Sequence, residues 1–354
     1  PARAFRLGVP ALDQFPSAAW ARLASRRINA LTARALDYTP AGGYPPLRAA
    51  IAEHVRVARG ARCEPDQVYI IGGAQRGLDL VCRLLLDPGD LAAVEDPGYP
   101  GAWAALQAAG ARIVPAATDD EGVQVDLLVR EPALRLAYVT PSHQFPSGVP
   151  LSLARRRALL DWAARTGAWI VEDDYDCEFR FGARPIPCLQ GLDRHGRVIY
   201  VGTFAKSIYP ALALGFLVLP PALIDGFLAA ARGMADPAPA GLDQAVLADF
   251  LTTGELARHL RRMHQVYRER LAALGDAAAR WCGGALALRA PEAGLHAVAD
   301  LVDADAGAVA AACVAHGVEV MPLAAYRYAG GHDRDALVLG FGAVPPPAIE
   351  VGMR

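Results

Sequence analysis

Between about residue 45 and residue 220, short apolar and β-branched runs alternate with longer stretches whose apolar positions recur at helical spacing. The apolar runs fall at 67–71, 91–95, 111–114, 134–139, 168–171, 198–202 and 214–219. Amphipathic stretches at 77–86, 101–109 and 151–166 separate several of them. Short runs that are apolar throughout suit strands covered on both faces, and helical crossovers join parallel neighbours. The pattern predicts an α/β fold with a seven-stranded, mostly parallel sheet. Only about eleven residues separate the last two runs, so that pair is the candidate for antiparallel pairing.

Beyond residue 220 the pattern changes. Helical stretches at 222–234 and 242–281 flank a break at Asp236-Pro237-Ala238-Pro239, and the second is long enough to require a bend near Thr252-Thr253-Gly254. Apolar runs at 285–288, 296–301, 318–321 and 337–341, with a helix near 305–316, make a small α+β unit. The expected division is an N-terminal arm at 1–37, a large unit at 38–235 and a small C-terminal unit at 236–354.

Composition adds one sharp feature. The chain has 35 Lys+Arg, yet Lys206 is its one lysine, and Asn29 is its one asparagine. Both types use A-rich codons, so a GC-rich genome explains the general replacement of lysine by arginine. Guanidinium stays charged at physiological pH and cannot act as a deprotonated amine, so a surviving lysine is a candidate Schiff-base residue. A net charge of −2 without a basic run argues against DNA binding by this chain itself. The six cysteines form no close pair, which indicates neither a zinc site nor a disulfide framework and leaves a reducing cytoplasm as the default. The most apolar stretch, 211–224, is too short to span a bilayer and contains Pro220 and Pro221, and no signal peptide is visible. The start at Pro1 and the helix-like ending at 348–354 read as an excised piece.

Ligands in open parallel sheets bind beyond the carboxyl ends of the strands, and polar residues collect there. Gly73-Ala74-Gln75 is a glycine turn entering a helix, which offers free amides to a phosphate or is an ordinary turn. Tyr99 can lie on a planar ligand or simply pack. Asp173, at a strand end, needs a proton or a partner such as a pyridinium N–H, and Tyr175 can bond a ring hydroxyl. The same segment also reads as a Mg²⁺-binding cluster of Glu172, Asp173, Asp174 and Asp176, or as helix capping. Lys206, just after the next strand, favours the pyridoxal phosphate reading, because no metal site needs an amine.

The segments Tyr38-Thr39-Pro40-Ala41-Gly42-Gly43-Tyr44, Glu95-Asp96-Pro97-Gly98-Tyr99-Pro100-Gly101, Pro141-Ser142-His143-Gln144-Phe145-Pro146-Ser147-Gly148, Glu172-Asp173-Asp174-Tyr175-Asp176-Cys177-Glu178-Phe179-Arg180 and Gly202-Thr203-Phe204-Ala205-Lys206 carry a wider resemblance. The chain resembles the aminotransferase-like domain of MocR/GabR-type transcription regulators, in the GntR superfamily, over essentially its whole length. The resemblance implies a fold-type-I architecture and pyridoxal 5′-phosphate. It implies an internal aldimine at Lys206, Asp173 on the pyridine nitrogen, Tyr175 on the phenolic oxygen and Tyr99 stacked on the ring. Gly73, Ala74, Gln75 and Thr203 would hold the phosphate, Gln144 joins the cofactor-binding set, and no metal is implied. A homodimer is implied, with Tyr38 reaching the partner's phosphate, together with a small amine or amino-acid-like effector. DNA would be bound only through a winged-helix domain outside this chain. A working aminotransferase and a cofactor-free dimerisation domain are the alternatives. Three positions depart from the pattern: Ala205 replaces a serine, Ala213 replaces a phosphate-binding arginine, and Val338 replaces an arginine that grips carboxylates. Loss of the phosphate arginine should cost on the order of 1.5–3 kcal/mol, and it suggests a weakened site or an effector that is not a simple α-amino acid.

Overall fold

The computed structural model of the chain describes residues 4–181, 187–233, 239–330 and 334–354. Its larger sheet contains β1 (Val68–Ile71), β2 (Leu91–Asp96), β3 (Arg112–Asp119), β4 (Gly122–Val123), β5 (Leu134–Val139), β6 (Trp169–Asp174), β7 (Val198–Thr203) and β8 (Gly215–Val218). The spatial order is β1-β8-β7-β6-β5-β2-β3-β4. The neighbours from β7 through β6, β5 and β2 to β3 are parallel. The strand β8 is antiparallel to both β7 and β1, as the short connection from β7 suggested.

Alternation along the strands sorts the core onto two faces. Ala92 and Val94, Leu136 and Tyr138, Val171, and Ile199 and Val201 pack with Leu78, Val81 and Cys82 of the helix Ala74–Leu85. Ala93, Ala137, Val139 and Ile170 meet Leu159 and Trp162 of the helix Leu153–Thr166 on the opposite face. Both faces are covered, so the strands read as unbroken apolar runs.

The seven expected strands are present, and a short eighth extends the sheet. The two residues of β4 pair with the end of β3 and are too few for any periodicity to register. The strand β3 also continues past 114, because Pro115 lies where β3 has a neighbour, β2, on one side only, a position that tolerates a missing N–H.

A second, antiparallel sheet is made of β9 (Leu286–Arg289), β10 (His296–Leu301), β11 (Met321–Pro322) and β12 (Ala336–Gly340), in the order β11-β12-β10-β9. The run at 318–321 is not the strand expected. Val318 forms a single parallel bridge with Ala4, and only Met321–Pro322 joins the sheet. Phe5 is buried in this second core and its carbonyl accepts from Gly340 N–H, so the start of the described chain is part of that layer. The long helical stretch divides into Gly241–Thr252 and Glu255–Trp281, with Gly254 left-handed at φ 75° between them. Residues 236–238 of the proline-rich break lie outside the described residues. No helix among the described residues is long and apolar enough to cross a membrane.

Candidate functional site

The strand ends converge as the parallel sheet requires. Gly73, at φ 96°, turns the chain from β1 into the helix Ala74–Leu85 and leaves the first amides of that helix open. Gly202 and Gly215 bring two neighbouring strands close beneath it. A Cβ on Gly215 would lie 2.8 Å from the Gly202 carbonyl oxygen and 3.5 Å from the Ala74 amide. Gln75 faces sideways: its Nε2 donates to the Gly101 carbonyl at 3.0 Å, and its Oε1 accepts from the Tyr99 hydroxyl at 3.2 Å. Gln75 therefore holds the Tyr99 ring, which stands at a tilt over Tyr138 and edge-on to Phe145. Thr203 is buried, and its Oγ1 accepts from the Ala205 amide at 3.1 Å. Ala213 is exposed and left-handed at φ 48°, in the loop that leads into β8.

Asp173 is the penultimate residue of β6, with its carboxyl buried. Oδ2 accepts from the Tyr138 hydroxyl at 2.7 Å, whereas Oδ1 is buried without a hydrogen-bond partner. Burial pushes the carboxyl up to about 6, partly offset by the Tyr138 hydrogen bond. A buried acceptor with one unused oxygen is what an added ring N–H would satisfy. Burial lowers the Lys206 amine from its ordinary value, while Asp176 and Asp173 pull in the opposite direction. The amine donates to the Gly8 carbonyl at 2.8 Å. Desolvation favours the uncharged, nucleophilic amine.

Tyr175 meets His143, whose Nδ1 lies 2.9 Å from the hydroxyl and 3.0 Å from Asp176 Oδ1. The four acids of this segment do not form a Mg²⁺ cluster. Glu172 accepts from the Leu189 and Gln190 amides, and Asp174 binds Arg59 and Tyr200. Asp176 is spent on His143, and Asp173 alone keeps a free oxygen. His143, Asp176 and His296 place ligand-type atoms within 4.8 Å of one another. That group is closed on itself, because His296 Nε2 donates to the Pro146 carbonyl at 3.0 Å and both Asp176 oxygens face His143.

The strand ends thus bring together Gly73, Ala74, Gln75, Tyr99, Asp173, Tyr175, Thr203 and Lys206. Two expected residues stand apart. Gln144 donates to the Pro97 and Phe145 carbonyls and accepts from the Ser147 hydroxyl, which ties its amide to its own loop. Tyr38 is 97% exposed. Sequence reasoning missed Gly8, Tyr138, Phe145 and the His143–Asp176 pair. His143 and Asp176 lie inside segments already singled out by their polar content, whereas nothing local marks Gly8.

The aminotransferase class I and II family model matches residues 4–334. The probable rhizopine catabolism regulatory protein MocR of Rhizobium meliloti is 40% identical over 352 residues, covering 99% of this chain and 71% of that protein. The multiple substrate aminotransferase of Thermococcus profundus superposes with a TM-score of 0.90 at 28% identity, covering 99% of this chain and 89% of that one. The α-aminoadipate aminotransferase LysN of Thermus thermophilus, complexed with N-(5′-phosphopyridoxyl)-L-leucine, superposes at 0.88 with 30% identity, covering 99% and 90%. The chain belongs to the class I and II aminotransferase family.

Proposed function

We propose that this chain is the aminotransferase-like, effector-sensing and dimerising part of a cytoplasmic transcription regulator. Its cofactor is pyridoxal phosphate, which when bound supplies an electron sink and an exchangeable carbonyl for amines. Lys206 provides the attaching amine and Asp173 the partner of the ring nitrogen. Tyr175 faces the phenolic oxygen, Tyr99 covers the ring, and Gly73, Ala74, Gln75 and Thr203 surround the phosphate, with Tyr38 contributed across a dimer. Gln144 acts through the loop it holds. The unused oxygen of Asp173 carries the cofactor assignment, since it lies on the sheet edge that also presents the lone lysine. The regulatory reading is supported by the resemblance to a regulator along nearly the whole chain.

Binding of an amine would then shift the protein between states that hold the amine with different affinity. A working aminotransferase is the second reading, favoured by the desolvated Lys206 amine beside Asp173 and Asp176. Addition of pyridoxal phosphate to the purified chain is expected to give a visible absorption band that Lys206→Ala abolishes. A band of equal strength in Lys206→Ala would remove the attachment role. Sustained turnover of common amino acids would favour the enzymatic reading over sensing.

A further inference from the structure

Both oxygens of the buried Asp176 carboxyl face one ring nitrogen, lying 3.0 and 3.1 Å from His143 Nδ1. A carboxylate in that position accepts, so Nδ1 carries the hydrogen. The opposite nitrogen agrees with this tautomer. His143 Nε2 is buried without a hydrogen-bond partner, and a bare acceptor is tolerated more readily there than a bare N–H. The ring is fixed in place. Gly294, at φ +82°, lies so close that a side chain there would strike His143 Cε1, and the His296 ring stands 4.8 Å away, centroid to centroid. His296 cannot supply a competing hydrogen, because its Nε2 faces the Pro146 carbonyl.

The Tyr175 oxygen lies 2.9 Å from the same Nδ1. A nitrogen that bears a hydrogen has no in-plane lone pair to receive another. The Tyr175 oxygen must therefore share the Nδ1 hydrogen as an acceptor, and its own hydrogen is released for a different partner.

We infer that His143, locked by Asp176, turns the Tyr175 hydroxyl hydrogen toward the phenolic oxygen of the cofactor, which makes His143 and Asp176 positioning residues of this site. The inference rests on the cofactor reading above. Without the Nδ1–H, the Tyr175 hydrogen would turn to the Asp176 carboxylate, and the phenolic oxygen would lose its donor. The groups that face this hydroxyl and its carboxylate neighbours are His143, His296, Asp173, Asp174, Asp176, Glu95 and Lys206.

The test is the pH titration of the visible band of the cofactor-loaded chain, which reports ionisation of the phenolic oxygen. Tyr175→Phe should raise its midpoint by about one pH unit, as loss of a hydrogen bond to a charged group does. His143→Leu should move it the same way by at least half as much. His143→Asn, whose amide N–H stands where Nδ1–H stood, should restore the unsubstituted midpoint. An unchanged midpoint in His143→Leu, or an equal shift in His143→Asn, overturns the inference. The imidazole nitrogen chemical shifts of His143 in the cofactor-free chain decide the tautomer independently of folding in the variants. Hydrogen on Nδ1 is expected, and hydrogen on Nε2 alone overturns the proposal. Absence of any visible band in the unsubstituted chain would instead overturn the cofactor reading, and with it the role at the phenolic oxygen.

Discussion

Restoring an arginine at position 213 should tighten the hold on pyridoxal phosphate. Ala213 follows the turn Pro210–Leu212 in a left-handed conformation, at φ 48° and ψ 33°. Two residues later Gly215 pairs with Ile71, and a Cβ there would sit 3.5 Å from the Ala74 amide, which belongs to the phosphate cradle proposed above. Alanine and arginine carry the same Cβ, so the left-handed cost of the position does not change on substitution. The residue is exposed, so a longer side chain displaces nothing. A charge-assisted hydrogen bond contributes about 1.5–3 kcal/mol net, and the partly solvated setting favours the lower end. Ala213→Arg should therefore lower the Kd for pyridoxal phosphate about tenfold or somewhat more. Equilibrium titration followed by absorbance measures it, with pyridoxal, which lacks the phosphate, as the control. An unchanged Kd, or an equal gain for pyridoxal, would refute the assignment of this position to the phosphate.

Other consequences are measurable on the same chain. Burial pushes Glu95 up to about 7, opposed by hydrogen bonds from Thr140 and Gln144. A raised carboxyl contributes stability below its unfolded value near 4.5 that is lost as pH rises through about 7. Glu95→Gln should therefore gain stability relative to the unsubstituted chain between pH 5 and 7, by at most about 2–3 kcal/mol in paired denaturant melts, and a flat difference would contradict the buried charge. Gly294→Ala combines a left-handed φ of +82° with overlap on His143 and Asp176, and should cost about 2–5 kcal/mol in the same measurement. Tyr38→Ala should leave the thermal midpoint almost unchanged, since the side chain is 97% exposed, yet weaken cofactor binding if it reaches a partner's phosphate. Equal affinity in a dimeric sample would count against that reach.

The sheet was legible because its central strands, such as β5 and β7, are buried apolar runs, and period-two alternation then divides the side chains between two faces. The strand β3, near the edge and largely exposed, showed only its first residues. What local pattern could not supply was pairing over distance. The short β4 depends on the end of β3, and the bridge at Val318 depends on Ala4, more than three hundred residues away along the chain. The site followed the same rule. Asp173, Tyr175 and Lys206 stand at or just past strand ends, and position and chemistry together are what made them candidates. Tyr138 reads as one more apolar strand residue, although its hydroxyl fixes which Asp173 oxygen is left unused. Gln144, a polar residue in a polar segment, turns its amide inward to its own loop, which no local pattern announces.

Gly8 shows what the isolated lysine could not reveal. In this structure the Lys206 amine is already in use, donating to the Gly8 carbonyl. The glycine sits at φ +73°, and a Cβ there would lie 2.9 Å from Nζ, so only this residue type lets the backbone approach the amine. The segment is tethered on both sides, through Phe5 to Gly340 and through the Ala11 amide to the Tyr267 hydroxyl. On the reading proposed above, committing the amine to the cofactor would leave the segment tethered at both points. It strips one carbonyl of its donor, at about 1–3 kcal/mol if that carbonyl stays dry. A bound amine or ordered water that donates to the Gly8 carbonyl would recover that cost.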